Sequence, residues 1–147
     1  MKRILVAVDR SEPSMRALEM AADIAVKYDA ELVLETVLQD LGPNDPGIEA
    51  YARIENIKDG ESALKIESVR DSLSDVCQRA QAKGVRKVTV DVTVGDAAEE
   101  ILANAKAGGT DLIVMGNRGH GRLAGLLLGS VTQKVIGLAP CAVLVVH

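Results

Sequence analysis

The sequence predicts an open α/β fold in which a mostly parallel, five-stranded sheet carries helices on both faces. Strand-like and helix-like segments alternate along all 147 residues, and helical crossovers of this kind join parallel strands. Two strand-like segments in the body of the chain, Ile4–Val8 and Leu112–Met115, are apolar at every position, as strands between two helical layers are. The length suits one domain over residues 1–147, built around a single core.

Five strands are predicted from runs rich in Val, Leu and Ile. Ile4–Val8 and Leu112–Met115 are apolar on both faces, which predicts central positions. Lys87–Val94 alternates strictly between apolar and polar residues, which predicts an edge strand with one face in water. The last strand is expected at the opposite edge. The predicted strands are Arg3–Val8, Glu31–Val37, Lys87–Val94, Asp111–Met115 and Cys141–Val146.

Capping residues and helical periodicity predict four helices between these strands. Ser11 and Asp96 are suited to cap the helices that follow them, and Gly84 ends a long amphipathic segment. The predicted helices are Pro13–Tyr28, Ser62–Lys83, Ala97–Ala107 and a last one from near Ser130 to before Pro140.

The polar segment Gln39–Gly60 follows the second predicted strand and contains the helix-breaking run Gly42–Gly47. It leaves from the sheet edge at which ligands bind in open α/β folds. Two interpretations remain open, a lid over a ligand and a tolerated surface insertion.

Composition excludes several classes of partner. The formal net charge of −4 argues against general binding to nucleic acid or to anionic membranes. Tyr28 and Tyr51 are the only aromatic residues, which argues against a base-stacking platform. The first apolar run is too short for a signal peptide, and no apolar stretch is long enough to span a membrane, so a cytoplasmic protein is expected.

A glycine-rich run, Gly116-Asn117-Arg118-Gly119-His120-Gly121-Arg122, follows the fourth predicted strand directly. Gly116 and Gly119 allow the backbone to turn and to approach a ligand closely. An apolar strand, a glycine-rich loop and then a helix is the usual construction of a phosphate site. The same glycines also fit a merely flexible turn, because a lone glycine cluster is weak evidence.

The residues around this run strengthen the prediction of a phosphate site. The next helix is expected to begin at Gly129-Ser130, with Ser130 as N-cap and Gln133 at the capping-box position. Free N–H groups of its first turn, from Ser130, Val131 and Thr132, would then face an anion. Three basic side chains in the run suit phosphate oxygens: Arg118, His120 and Arg122.

Asp9 ends the first predicted strand, at the same edge of the sheet. A carboxylate there suits ribose hydroxyls or a hydrated metal ion. An aspartate that only caps a helix or a turn fits equally well.

No catalytic constellation is evident. His120 and His147 are the only histidines, and neither Cys77 nor Cys141 has a histidine–carboxylate partner in the pattern. Both cysteines are expected to be core residues. Metal-ligand spacing of Cys and His is also missing, so neither catalytic residues nor protein ligands to a metal are predicted.

The last predicted strand raises a question of assembly. Ala142–Val146 is apolar throughout, and an apolar strand at an exposed edge invites pairing with another chain. A homodimer formed through this strand would bury it. The alternative is that a helix or the C-terminus covers the edge.

Gly116-x-x-Gly119, nine residues and then Gly129-Ser130 resemble the nucleotide-binding signature of the universal stress protein family, in its ATP-binding group. The resemblance extends over essentially the whole chain, from the opening strand and turn Ile4–Ser14 to the closing strand Ala139–Val146. It implies a Rossmann-like fold, similar to the adenine nucleotide alpha hydrolases, with strand order 3-2-1-4-5. It also implies a homodimer joined through the last strand.

The resemblance further implies a site for ATP. The implied adenosine contacts are Ala7, Val8, Asp9, Met115, Gly116 and the backbone of Val37. The implied phosphate contacts are Gly119, Gly129, Ser130, Val131 and Thr132. A divalent ion, Mg²⁺ or Mn²⁺, would be bound mainly through phosphates and water. Arg10 departs from the family pattern, which commonly has a small or polar residue there.

Three functions are consistent with these residues. The first is a homodimeric regulator of the stress response that depends on bound nucleotide. The second is a weak ATPase or a nucleotide-processing enzyme of the same fold. The third is a dimerisation module with a vestigial site.

Overall fold

The computed structural model describes residues 1–38, 61–118 and 128–147, with residues 61–66 described by their backbone alone. The predicted segment Gln39–Gly60 lies outside these ranges. The elements in chain order are β1 Arg3–Ala7, α1 Glu12–Tyr28, β2 Glu31–Leu38, α2 Glu61–Ser72, α3 Ser74–Ala82, β3 Val88–Val94, α4 Ala97–Ala107, β4 Leu112–Gly116, α5 Ser130–Leu138 and β5 Ala142–Val146.

The five strands form one parallel sheet in the order β3-β2-β1-β4-β5. In its centre, Val6 of β1 lies between Leu34 of β2 and Val114 of β4. The predicted fold class, strand order and edge positions are confirmed.

Each face of the sheet has its own apolar core, because apolar side chains alternate between the faces along each strand. On the first face the strands pack against α1, α3 and the end of α2, through residues that include Ile4, Val6, Leu18, Leu34, Leu73, Val76 and Val114. On the second face they pack against α4 and α5, through residues that include Leu5, Ile101, Ile113 and Val135. None of the described helices is long and apolar enough to cross a membrane.

The capping predictions for two helices are confirmed. The Ser11 side chain accepts a hydrogen bond from the N–H of Ser14 at the start of α1. The Asp96 carboxylate accepts one from the N–H of Glu99, at 3.0 Å, at the start of α4. Both side chains satisfy donors that a helix leaves without an internal partner.

The single helix predicted over Ser62–Lys83 is wrong, because two helices, α2 and α3, meet at Leu73. The Arg10 guanidinium donates to the carbonyl oxygen of Ser72 and, at 2.8 Å, to the carboxylate of Asp75. A carbonyl group at the break is thereby bonded to a side chain from a distant loop. Helical periodicity alone carries no sign of such a contact.

The prediction of a water-facing side for β3 is also wrong. Thr89, Asp91 and Thr93 are half-buried, because α4 lies over this face. The Asp91 carboxylate accepts a hydrogen bond from the Asn104 amide of α4, at 3.0 Å. The alternation therefore reflects a polar contact between a strand and a helix.

Candidate functional site

The sheet has a topological switch point between β1 and β4, and the crevice expected at its carboxyl edge is the candidate site. These strands are neighbours, but α1, which follows β1, packs on the first face, while α5, which follows β4, packs on the second. The two connections therefore leave in opposite directions. Open α/β sheets bind ligands at such switch points.

The β1 side of the crevice is held by the neighbouring strand β2. The Val8 N–H donates to the Glu35 carbonyl oxygen at 2.8 Å, and the Val8 carbonyl accepts from the Thr36 hydroxyl at 2.8 Å. Val8 is buried, and Ala7 before it is half-buried. Both backbone groups of Val8, a predicted adenosine contact, are therefore held by hydrogen bonds to β2.

Asp9 is exposed and organises the turn that follows β1. Its carboxylate accepts hydrogen bonds from the Ser11 N–H, at 2.9 Å, and from the Ser11 hydroxyl. Arg10 between them has a φ of 63°, which side-chain-bearing residues seldom adopt. Asp9 therefore has the turn role that the sequence allowed, and its ribose contact stays a prediction.

The Val37 backbone faces the crevice. In a parallel strand, successive residues direct their backbone groups alternately to the two neighbouring strands. The Glu35 carbonyl accepts from Val8 on the β1 side, and the Leu38 carbonyl accepts from the N–H of Gly95 on the β3 side. Val37, two residues after Glu35, therefore directs its N–H and C=O toward β1, whose paired residues end opposite Glu35.

The end of β4 requires a glycine for close packing. A Cβ atom at Gly116 would lie 2.7 Å from the Pro13 Cβ and 2.8 Å from the Pro13 carbonyl carbon. Met115 before it is buried. The Thr132 hydroxyl, also buried, donates to the Gly116 carbonyl oxygen at 3.0 Å. The first turn of α5 is thereby joined to the end of β4.

The start of α5 corrects one prediction. Gly129, not Ser130, is the N-cap, and no side chain caps the helix. Gln133 does not complete a capping box, because its side chain donates to the Leu128 carbonyl at 3.0 Å. The first backbone bond of the helix runs from the Gln133 N–H to the Gly129 carbonyl, at 3.0 Å. The N–H groups of Ser130, Val131 and Thr132 precede that bond, as an anion site needs.

Most of the predicted site residues within the described ranges lie at this one sheet edge. They are Ala7, Val8, Asp9, Val37, Met115, Gly116, Gly129, Ser130, Val131 and Thr132. Arg118 is exposed just beyond β4. Gly119, His120 and Arg122 lie outside the described residues, so their roles stay predictions.

Sequence reasoning missed a buried acid, Glu35, which is 1% exposed. Burial raises the pKa of its carboxyl group from 4.5 to about 7. The Asn104 amide, which donates its hydrogen bond to Asp91, opposes this in part, and the charges of Asp91 and Glu100 add to it. The available signal was a glutamate inside the apolar run of β2, on the same face as Val33 and Val37.

The cysteines have the structural role expected from the sequence. Cys77 and Cys141 are half-buried and pack against the two apolar cores. Burial raises the pKa of both thiols, so neither is poised as a thiolate. His147 contacts the Asn117 amide at 3.1 Å. Over the described ranges, His, Cys, Asp and Glu form no group of three or more suited to a metal ion.

Comparison with known proteins adds a family to this geometry. The model of the Universal stress protein family matches residues 1–147. Universal stress protein YxiE of Bacillus subtilis (strain 168) is 34% identical over 147 residues, which cover 99% of this chain and 98% of that protein. Universal stress protein UspA from Lactobacillus plantarum has a similar structure, with a TM-score of 0.76, 26% identity and coverage of 99% and 97%.

A ligand complex is among the solved structures with a similar fold. It is a universal stress protein in complex with cAMP, which aligns with a TM-score of 0.71 at 26% identity, over 99% of this chain and 97% of that one.

Proposed function

Since the chain belongs to the universal stress protein family, we propose that it is an ATP-binding homodimer that regulates a stress response according to its bound nucleotide. The whole chain, residues 1–147, is taken as one universal stress protein domain. The coarser part of this proposal, an adenine-nucleotide site, has support from the similar protein that binds cAMP.

One observation carries the proposal, the open first turn of α5 joined to the end of β4. The N–H groups of Ser130, Val131 and Thr132 have no side-chain cap, and the Thr132 hydroxyl ties this turn to Gly116. Phosphate oxygens are suited to such a turn, because the N–H groups and the helix dipole both favour negative charge. We propose ATP rather than a monophosphate because of the glycine signature, in which Gly119 would be a further phosphate contact.

The nucleoside half of ATP fits the opposite wall of the crevice. Adenine presents a donor and an acceptor side by side, and the Val37 C=O and N–H are the complementary pair. Asp9, at the end of β1, is the carboxylate that we assign to the ribose hydroxyls. A Mg²⁺ or Mn²⁺ ion, held by phosphates and water, would neutralise phosphate charge, so it requires no protein ligand set.

Hydrolysis is the main alternative function. The described residues show no nucleophile paired with a base at the crevice, and both cysteines pack against the apolar cores as thiols. We therefore expect slow turnover at most. A vestigial site would retain the fold and bind nothing.

Two measurements separate these functions. Denaturing the freshly purified protein and analysing the released small molecules by mass spectrometry should yield an adenine nucleotide, whereas a vestigial site should yield none. Timed product analysis with ATP and Mg²⁺ should then show little ADP or AMP. Many turnovers per minute would favour the enzyme instead.

The proposed dimer uses β5, the outer strand of the sheet. The Val146 carbonyl accepts from the Asn117 N–H, so residue 146 directs its backbone groups toward β4. Val143 and Val145 alternate with it and direct theirs to the open edge. No described strand pairs with that edge. A second copy of β5 would satisfy these groups and cover the apolar side chains.

A further inference from the structure

A buried carboxyl group, that of Glu35, lies beneath the crevice. It is two residues before Val37 on the same face of β2. Glu35 is 1% exposed, and neither of its carboxyl oxygens has a hydrogen-bond partner in the described part of the chain. An ionised carboxylate in such a place is strongly unfavourable, because it has lost water and the nearby amide of Asn104 is bonded to Asp91. The group therefore needs a proton, a cation or entering water.

The groups around Glu35 favour the proton. β3 presents Asp91 directly opposite, and α4 presents Glu100, so both charged neighbours that the described residues provide are acidic. β1 presents the small apolar Ala7. The Asn104 amide is bonded to Asp91. The acids form no group suited to a metal ion among the described residues, which leaves the proton as the natural ligand.

We infer that Glu35 is a proton-binding site and that its proton sets the conformation of the pocket wall formed by Val8 and Val37. The effect of this proton on ligand affinity rests on the proposed function, whereas the existence of the proton site does not.

A single hydrogen bond connects the Glu35 backbone to Val8. The Glu35 carbonyl accepts from the Val8 N–H at 2.8 Å, and the Thr36 hydroxyl donates to the Val8 carbonyl. Loss of the proton places a charge between β2, β3 and α4, opposite Asp91. A shift of the strand that relieves this charge moves the backbone that holds Val8 and Val37, because the Glu35 carbonyl is bonded to the Val8 N–H.

The sign of the coupling follows from charge. ATP is an anion, and a negative Glu35 beneath the pocket opposes its binding through a poorly screened interior. Affinity should therefore fall as the pH rises through the titration of Glu35. By reciprocity, bound ATP should hold the proton more tightly, so that binding near neutral pH takes up protons.

The first test needs no ligand. In protein labelled with ¹³C and ¹⁵N, the Glu35 carboxyl and the Val8 amide should titrate together with a midpoint near pH 7. Glu35→Gln should remove the Val8 titration. Glu31→Gln is the matched control, because Glu31 lies on the same face of the same strand but is paired with Arg3 and Lys87, and it should leave the titration intact. Measurements on the wild-type protein are enough to overturn the inference. Either a Glu35 titration midpoint near the ordinary 4.5 or a Val8 amide signal that does not change with pH would do so.

The second test adds ATP. Calorimetry should show wild-type affinity about fivefold or more weaker at pH 8 than at pH 6. The ATP affinity of Glu35→Gln, measured in parallel, should change with pH only as far as the ATP phosphates themselves ionise. Equal pH dependence in both proteins contradicts the link to the nucleotide. Failure of ATP to bind at any pH contradicts the proposed function instead, and the carboxyl titration still decides the proton site.

Discussion

Gly116→Ala tests whether the end of β4 must approach α1 as closely as the structure indicates. The added Cβ would meet Pro13 at 2.7 Å and 2.8 Å, against 3.4–4 Å for an ordinary contact. The overlap of about 0.7 Å involves backbone and a rigid proline ring, so side-chain rotation does not relieve it. Either β4 or the start of α1 must move.

We expect this overlap to lower the free energy of unfolding by about 1–3 kcal/mol. Gly137→Ala is the matched control, because a Cβ there meets nothing within 4 Å and Gly137 lies inside α5. That substitution should stabilise the protein by up to about 1 kcal/mol, since alanine is the better helix former. The two glycine-to-alanine changes should therefore have opposite signs.

Urea unfolding followed by far-ultraviolet circular dichroism is the appropriate assay, because the chain has no tryptophan. Protein concentration is kept constant, since a dimer gains stability with concentration. Calorimetric titration with ATP adds a functional measure, in which Gly116→Ala should weaken binding and Gly137→Ala should not. A Gly116→Ala protein as stable as wild type, with unchanged ATP affinity, would refute the close-packing argument.

Three further substitutions have defined outcomes. Glu35→Gln removes a group whose pKa is higher in the folded state, so wild type loses stability relative to this variant as the pH rises from 4.5 through about 7. Between pH 5 and pH 8 wild type should lose about 2.5 kcal/mol more than the variant in urea titrations, and parallel losses would contradict this. Thr132→Val removes the buried bond to the Gly116 carbonyl and should cost about 1–3 kcal/mol, with weaker ATP binding in calorimetry. Val145→Pro removes an N–H on the open edge of β5 and should yield a monomer in sedimentation velocity, and a persisting dimer would exclude this interface.

The fold could be predicted from the sequence because its signals are local. The central positions of β1 and β4 follow from their apolar faces, and Ile4–Val8 and Leu112–Met115 carry that signal clearly, whereas the full strand order was implied by the family resemblance. The caps Ser11 and Asp96 are likewise defined by residues within one turn. Contacts between distant segments have no such signature.

The wrong predictions all involve contacts over long sequence distances or the choice between adjacent residues. The break at Leu73 coincides with a bond from Arg10 that crosses most of the chain's first half. The polar face of β3 and the burial of Glu35 both depend on where α4 lies. At the start of α5, the sequence favoured Ser130 as the N-cap. In the structure Ser130 is the first residue of the helix and Gly129 is the N-cap. That shift of one residue leaves the first-turn N–H groups in the predicted place.

The central claim is that this chain binds ATP through the glycine-rich loop and the start of α5. Its most direct test is calorimetric titration of nucleotide-free protein with ATP and Mg²⁺, for wild type, Gly119→Val and the control Gly137→Ala. We predict saturable binding of about one ATP per chain in wild type and in the control. Binding should be lost or strongly weakened in Gly119→Val, whose branched side chain would block the approach of phosphate. The absence of saturable binding in wild type, or equal affinity in Gly119→Val, would contradict the claim.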